Sequence, residues 1–188
     1  MRYWFTRFRF VIALLGPVAA LFLTIPANAQ TEQQSTALDT LFAELRTAPD
    51  SRTAQAITIE IWNLWTHPAD PELAVRMAEI LQRLGMADYP GAVALLDRLV
   101  VDHPDYAEGW NQRATVHFLL RNFDQSLADI EKTLEAEPRH FGALAGRALI
   151  YLELDQRDLA LEAIKRALAI HPFLSERGLF PELNAIQI

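Results

Sequence analysis

Three proline residues recur at a constant interval in the second half of the chain. Pro104, Pro138 and Pro172 are equally spaced, with 34 positions from each to the next. Apolar and small residues keep the same register: Leu96, Ile130 and Ile164; Ala92, Ser126 and Ala160; Trp110 and Leu144; Ala114 and Ala148. An interval of this length predicts repeated supersecondary units, each of which buries its apolar face only against its neighbours.

Inside each unit the apolar residues follow the spacing of an α-helix. In the unit 107–140 they fall at Trp110, Ala114 and Phe118, and again at Leu127, Ile130 and Leu134. The residues 121–124 lie between these two runs and supply a turn with Asp124 as a candidate N-cap. Because proline prevents the second helix from continuing, each unit is predicted to be a helix, a turn and a helix.

These units resemble the tetratricopeptide repeat. The matching residues are Trp110, Ala114, Phe123, Ser126, Ile130 and Pro138 in one unit, and Leu144, Ala148, Tyr151, Ala160, Ile164, Ala167 and Pro172 in the next. Residues that depart from the pattern are Arg113, His117, Thr133, Arg147 and Arg157. The resemblance implies an all-α fold, a short right-handed α-solenoid of three repeats at 70–106, 107–140 and 141–172.

The first of these repeats is less regular than the other two. Counting back one such interval from the second repeat places the charged residues Arg76, Glu79 and Arg83 on core positions. Two extra turn residues within 85–89 would remove them from the core, and the interval from Pro68 to Pro104 is indeed longer by two positions. We therefore expect a shifted register with a buried set of Ala74, Met77, Ala78 and Leu81.

Shorter helical segments flank the repeats on both sides. Residues 30–69 are predicted to form a degenerate hairpin, with Leu38, Leu41, Phe42 and Leu45 on one face of its first helix. This hairpin is expected to serve as an N-terminal capping helix pair, because a repeat array must cover the apolar face of its terminal unit. Residues 173–188 are expected to form a short C-terminal cap or tail.

The segment 1–29 has the composition of a targeting signal. Three arginines precede an uncharged run over 10–25, and Pro26 and Ala27-Asn28-Ala29 supply a cleavage site. The alternative is a permanent anchor, but the run is shorter than the about 20 residues that span a bilayer and Gly16-Pro17 interrupts it. We expect a cleaved signal peptide and an exported product, periplasmic or secreted, without a stable membrane anchor. Removal of the three arginines changes the formal net charge from -7 to -10.

Composition excludes several kinds of chemistry. The chain contains no cysteine, which excludes disulfides, thiolate metal sites and cysteine nucleophiles. Its acidic balance argues against nucleic acid as a partner. Of its five histidines, three precede a proline at a helix end, and none forms the pair that places two metal ligands on one helical face. The sequence therefore predicts no metal, no cofactor and no enzyme.

A surface remains as the carrier of function. In the family that the repeats resemble, the first helices of successive units line a concave groove that receives an extended or helical segment of a partner protein. Carried over to this sequence, the groove would contain Val75, Glu79, Gln82, Glu108, Asn111, Thr115, Phe118, Ala145, Leu149 and Leu152. We expect apolar anchors at one end and basic residues of the partner facing Glu79 and Glu108 at the other.

Two other interpretations of the same residues stay open at this point. The groove residues are alternatively the solvated inner face of a short solenoid whose contact surface lies elsewhere. The protein is alternatively an assembly or maturation factor, or a structural subunit of an envelope complex. In that case the helix with Trp62 and Trp65, or the C-terminal tail, is the docking element.

Overall fold

The computed structural model describes residues 27–184, and this part of the chain is α-helical without a β-strand. The predicted leader therefore lies almost entirely outside the described residues, as do the last four residues. The helices are α1 (Ala27–Arg46), α2 (Ser51–Thr66), α3 (Pro71–Gly85), α4 (Tyr89–Asp102), α5 (Ala107–Leu119), α6 (Phe123–Ala136), α7 (Phe141–Glu153) and α8 (Arg157–Ile170). Two 3₁₀ turns follow, Ser175–Leu179 and Pro181–Asn184.

The pairs α3–α4, α5–α6 and α7–α8 are three copies of one helical hairpin. The connection in each copy is three residues long, and its middle residue has a left-handed backbone conformation. These middle residues are Ala87 (φ 56°), Arg121 (φ 61°) and Asp155 (φ 57°), spaced by the same interval as the three prolines. The all-α repeat fold predicted from the sequence is thus confirmed. Helix α6 begins at Phe123, so Asp124 lies in its first turn, and Asn122 occupies the N-cap position that was expected for Asp124.

The irregularity of the first repeat lies in its helix and not in its turn. Helix α3 has 15 residues, whereas α5 and α7 have 13 each. The unshifted register therefore holds, and Leu73, Met77 and Ile80 are buried where the second repeat buries Ala107, Asn111 and Ala114. The expected shift by two turn residues is wrong: Met77 is buried as predicted, but Ala78 is exposed.

The unshifted register places Arg76 and Arg83 of α3 at positions that reach the surface. Arg76 forms an ion pair with Asp102 on α4 (2.9 Å), and Arg83 forms one with Asp88 in the turn (2.8 Å). Trp110, which occupies the position of Arg76 in the second repeat, is itself only partly buried. The register thus leaves none of these charges inside the core.

Successive repeats stack by packing the second helix of one against the first helix of the next. Gly109 on α5 permits a close approach to α4, since a Cβ atom there would collide with the side chain of Leu99. Val116 and Ile150, on α5 and α7, are fully buried. Gln82, at the corresponding position of α3, is exposed. Within residues 27–184, no preceding helix covers this edge of the first repeat.

The hairpin α1–α2 does not continue the stack but packs on the third repeat. The rings of Phe42 and Trp62 lie 6.4 Å and 5.7 Å from the ring of Phe141 on α7. Asp39 on α1 pairs with Arg139, just before α7 (2.6 Å). The structure thus places the hairpin, expected as a cap of the first repeat, against the other end of the array. A pair of helices with aromatic residues on one face needs an apolar surface, and Phe141 supplies it.

The segment after α8 closes the third repeat. Phe180 is fully buried in a cluster that includes Leu144, Ala160 and Ala167. Arg157 holds the segment by pairing with Glu182 (2.7 Å) and donating to the Leu179 carbonyl (3.0 Å). The described part of this segment therefore continues the core of the third repeat.

Candidate functional site

A cleft of about 490 Å³ lies between the hairpin and the second and third repeats. Helix α2 forms one wall, α5 the opposite wall and α7 the floor, while residues 171–176 close one end. The side chains that line it include Gln55, Thr58 and Trp62 from α2, and Asn111, Thr115 and Phe118 from α5. The floor contains Gly142, Ala145, Gly146 and Leu149. The cleft thus forms where the hairpin only partly covers the first helices of the repeats.

Five of the ten predicted groove residues line this cleft: Asn111, Thr115, Phe118, Ala145 and Leu149. All five lie on the first helices of the second and third repeats, where the repeat register is regular. The sequence did not indicate that the opposite wall would come from α2. Nothing in the spacing of Gln55, Thr58 and Trp62 relates them to the repeats.

Four of the other predicted residues lie away from the cleft. Val75, Glu79 and Gln82 occupy the uncovered edge of α3, where Val75 is 71% exposed. Leu152 packs against the apolar cluster of the third repeat. The structure therefore does not bring the first repeat into the same site as the other two.

Glu108, the fifth residue outside the cleft, is the centre of a buried polar cluster. Its side chain has no solvent-exposed surface, and it accepts hydrogen bonds from Asn111 (3.1 Å), Gln112 and His140 (3.0 Å). The expectation that Glu108 offers a carboxylate to a basic partner is therefore wrong. The partners of Glu108 come from its own helix and from His140, the N-cap of α7, so the cluster joins α5 to the beginning of α7.

The two ring nitrogens of His140 have different hydrogen-bond partners. Its Nδ1 accepts a hydrogen bond from the backbone N–H of Ala143 (3.0 Å), capping α7, so its Nε2 donates to Glu108. The ring lies flat on Trp65 of α2, with centroids 4.0 Å apart and planes at 7°. His140 thus connects the hairpin, the second repeat and the third repeat.

His171 makes the second polar connection between the hairpin and the third repeat. Its Nδ1 accepts from the backbone N–H of Phe173 (3.2 Å), which leaves Nε2 to donate to Thr58 Oγ1 on α2 (2.9 Å). Thr58 Oγ1 in turn donates to the Ala54 carbonyl (2.7 Å). Burial lowers the pKa of His171. Sequence reasoning assigned His171 only a structural position before a proline and did not identify Thr58 as its partner.

The charges along the cleft are few. Glu176 is the one ionised side chain among the described residues that line it. The amide Nδ2 of Asn111 donates to Glu108, whereas its Oδ1 accepts no hydrogen bond from any described residue. Thr115 Oγ1 donates to the Asn111 carbonyl (2.9 Å) and retains its acceptor capacity. The cleft is therefore apolar with a small number of hydrogen-bond acceptors.

The two tryptophans of α2 belong to the molecule's own core. Trp65 is 5% exposed, and Trp62 is partly buried with its ring 5.1 Å from the Trp65 ring. The alternative in which these side chains dock onto another protein would require the hairpin to leave the third repeat. The described residues contain no cluster of three His, Asp or Glu side chains arranged to hold a metal ion. In the same range, no helix is long and apolar enough to cross a membrane.

Comparisons with known proteins found a family model, a relative and solved structures that are similar to this chain. The model of the tetratricopeptide repeat matches residues 111–175. A TPR repeat-containing protein of Rhizobium etli is 38% identical over 135 residues, which are 72% of this chain and 66% of that protein, so the chain spans just under two thirds of this relative. A crystal structure of MamA aligns with 82% of this chain and 84% of its own (18% identity, TM-score 0.47). A second MamA structure aligns with 82% and 91% (14% identity, TM-score 0.48). On its repeats and on the similarity to the Rhizobium etli protein, the chain belongs to the tetratricopeptide repeat family.

Proposed function

We propose that this protein is a non-catalytic interaction module of the cell envelope, and that its cleft binds a helical or extended segment of a partner protein. The observation that carries the proposal is the cleft itself. Two regular repeats and the hairpin together present apolar side chains and unused hydrogen-bond acceptors around an open volume of about 490 Å³. Grooves of this kind, apolar with a few polar groups that fix orientation, are typical of peptide recognition.

The chemistry of the lining defines the partner segment. Phe118 and Leu149 offer apolar contacts, and the small residues Ala145 and Gly146 leave space for a close approach at the floor. Asn111 Oδ1 and the Glu176 carboxylate can accept hydrogen bonds, and the described residues of the lining include no lysine or arginine. The segment therefore carries apolar side chains together with N–H donors, one of them a basic group that meets Glu176.

A quantitative binding assay tests the cleft. A library of displayed segments from bacterial envelope proteins is selected on the purified chain, and the Kd of the selected segment is measured by fluorescence anisotropy. Phe118→Glu and Leu149→Glu place a charge on the apolar surface, so each should raise Kd at least about tenfold. Val101→Glu is the matched control, because Val101 is 76% exposed on α4 and does not line the cleft. If the two cleft variants fold and their Kd values equal that of the unchanged chain, the proposal is wrong.

The envelope location rests on the arginines, the apolar run and the small residues of positions 1–29. A bacterial host that expresses the full chain should release a product that begins at Gln30. Mass spectrometry of the periplasmic or secreted fraction measures this directly. Replacement of Ala27 and Ala29 by larger residues should leave the product uncut, whereas replacement of Gln33 and Ser35 should not. An uncut product from the unchanged chain would overturn the export proposal.

A further inference from the structure

Two histidines fasten the hairpin α1–α2 to the third repeat. His140 supports Trp65 by stacking, and His171 donates a hydrogen bond to Thr58. In both rings Nδ1 is the acceptor of a backbone N–H, from Ala143 and Phe173 respectively. In His171 the hydrogen bond from Phe173 requires the neutral ring, because only an unprotonated Nδ1 can accept it, whereas Nε2 can donate to Thr58 in either protonation state.

The surroundings of the two rings differ. A proton on Nδ1 of His171 would face the backbone N–H of Phe173, and the hydrogen bond between them would be lost. His140 lies beside a carboxylate, that of Glu108 on α5, with Nε2 and Oε2 3.0 Å apart. The ion-paired groups Asp39, Glu137 and Arg139 lie on α1 and in the segment before α7.

Among residues 27–184, no carboxylate lies within hydrogen-bond distance of His171. Helix α2 presents to it the hydroxyl of Thr58, and α7 presents the edge of the Phe141 ring with centroids 5.1 Å apart. The carboxylate of Glu176 on its own segment acts on it only through space. A positive charge on His171 is therefore buried with little compensation.

We propose that His171 is a pH-sensitive latch: its neutral ring holds the hairpin on the third repeat, and its protonation loosens the hairpin and widens the cleft. The second half of this inference rests on the proposed binding function of the cleft, because α2 forms one of its walls. The first half concerns the hairpin alone and is independent of any partner.

The direction of the pH effect follows from the proton affinities of the two states. Burial lowers the pKa of His171 below its ordinary value of 6.5 in the docked state, whereas a released hairpin exposes the ring. The released state therefore binds the proton more tightly. Docking is at full strength above pH 6.5 and weakens as the pH falls below it, by at most about tenfold per pH unit for one proton.

Amide hydrogen exchange measures docking without a partner. The protection factors of α2 are compared with those of α6, which does not contact the hairpin's aromatic residues, at several values between pH 7.5 and pH 5. A chain with Trp4→Phe and Trp110→Phe retains only the two tryptophans of α2, so its fluorescence follows the same event. We expect the protection of α2 to fall below pH 6.5, by up to about tenfold per unit, while that of α6 stays constant.

Two variants separate the latch from ordinary acid effects. His171→Gln retains an acceptor for Phe173 and a donor for Thr58 but does not titrate, so it should keep α2 protected at pH 5. His67→Gln is the control, because His67 is an exposed histidine and its loss should leave the pH dependence unchanged. An unaltered pH dependence in His171→Gln, or a parallel loss of protection in α2 and α6, would overturn the latch.

A binding measurement tests the link to the cleft. The segment selected in the anisotropy assay should change its Kd at least about threefold between pH 7.5 and pH 5.5 on the unchanged chain and stay constant on His171→Gln. A hairpin that is released without any change in Kd would retain the latch but refute its control of the cleft. The effect of Phe118→Glu on Kd tests the binding function of the cleft, and the effect of His171→Gln tests the latch. Either proposal can therefore fail while the other holds.

Discussion

Two glycines on one face of α7 differ sharply in what an added methyl group would meet. A Cβ atom at Gly142 would lie 2.8 Å from Cη2 and 3.0 Å from Cζ2 of Trp62 on the hairpin. At Gly146 the nearest atom of this kind is Ile130 Cδ1, at an ordinary 3.8 Å. The substitutions Gly142→Ala and Gly146→Ala are thus chemically identical, but only the first touches the interface between the hairpin and the array.

The two effects on stability should have opposite signs. Gly146 lies in the interior of α7, so alanine there should raise the free energy of unfolding by about 1 kcal/mol. Gly142 is the second residue of the helix, where this gain is smaller. Trp62 cannot turn away freely, since the rings of Trp65, His140 and Phe141 lie 5.1, 5.6 and 5.7 Å from it. Overpacking of this kind costs about 1–3 kcal/mol, so Gly142→Ala should be destabilising.

Urea unfolding followed by circular dichroism gives both free energies. A double-mutant cycle with Trp62→Phe identifies the contact: the smaller ring removes the clash, so the loss caused by Gly142→Ala should shrink by about 1 kcal/mol in that background. No such coupling is expected between Trp62→Phe and Gly146→Ala. If Gly142→Ala stabilised the chain as much as Gly146→Ala, α2 would not be seated on α7, and the hairpin's docking position would be refuted.

Two further predictions concern the turns and the C-terminal segment. Ala87→Gly should stabilise the chain by about 1 kcal/mol, because glycine adopts the left-handed conformation without strain. Ala78→Gly, at an exposed position in the interior of α3, should destabilise the chain by about the same amount. Urea unfolding measures both changes in the free energy of unfolding, and two changes of the same sign would contradict the prediction. Phe180→Ala should cost about 3–5 kcal/mol and speed hydrogen exchange in α8, whereas its exposed neighbour Leu179→Ala should change stability by less than about 0.5 kcal/mol.

The period of the sequence predicted the repeats because equivalent residues of successive repeats pack in equivalent surroundings, so similar residue types recur at the same interval. The left-handed residues of the turns escaped notice for a physical reason. Ala87, Arg121 and Asp155 are not glycine, the residue that marks such a position most clearly in a sequence. The register of the first repeat was misjudged because every repeat position was assumed to be buried. The charges of Arg76 and Arg83 instead reach the surface and form ion pairs.

The cleft was predictable only in part. Phe118 and Leu149 follow from the repeat pattern, because the same helix face recurs in each unit. Thr58 and Trp62 lie outside the repeats, so their position depends on where the hairpin docks, and no periodicity encodes that. The repeat pattern also predicted Glu108 as a groove residue from its helix position. Its burial depends on contacts with His140 and Asn111, which the pattern does not encode.

The position of the hairpin connects stability, access and binding in this chain. Were α1 and α2 stacked on α3, as in a continuous array, Val75 and Gln82 would be covered and the first helices of the later repeats would be open. Instead α2 covers part of α7 and leaves the edge of α3 exposed. The wall of the cleft is therefore held by contacts of its own, among them Thr58 with His171. A substitution that weakens these contacts should alter binding indirectly, by moving the wall of the cleft. Phe118→Glu should alter binding directly, because Phe118 itself lines the cleft.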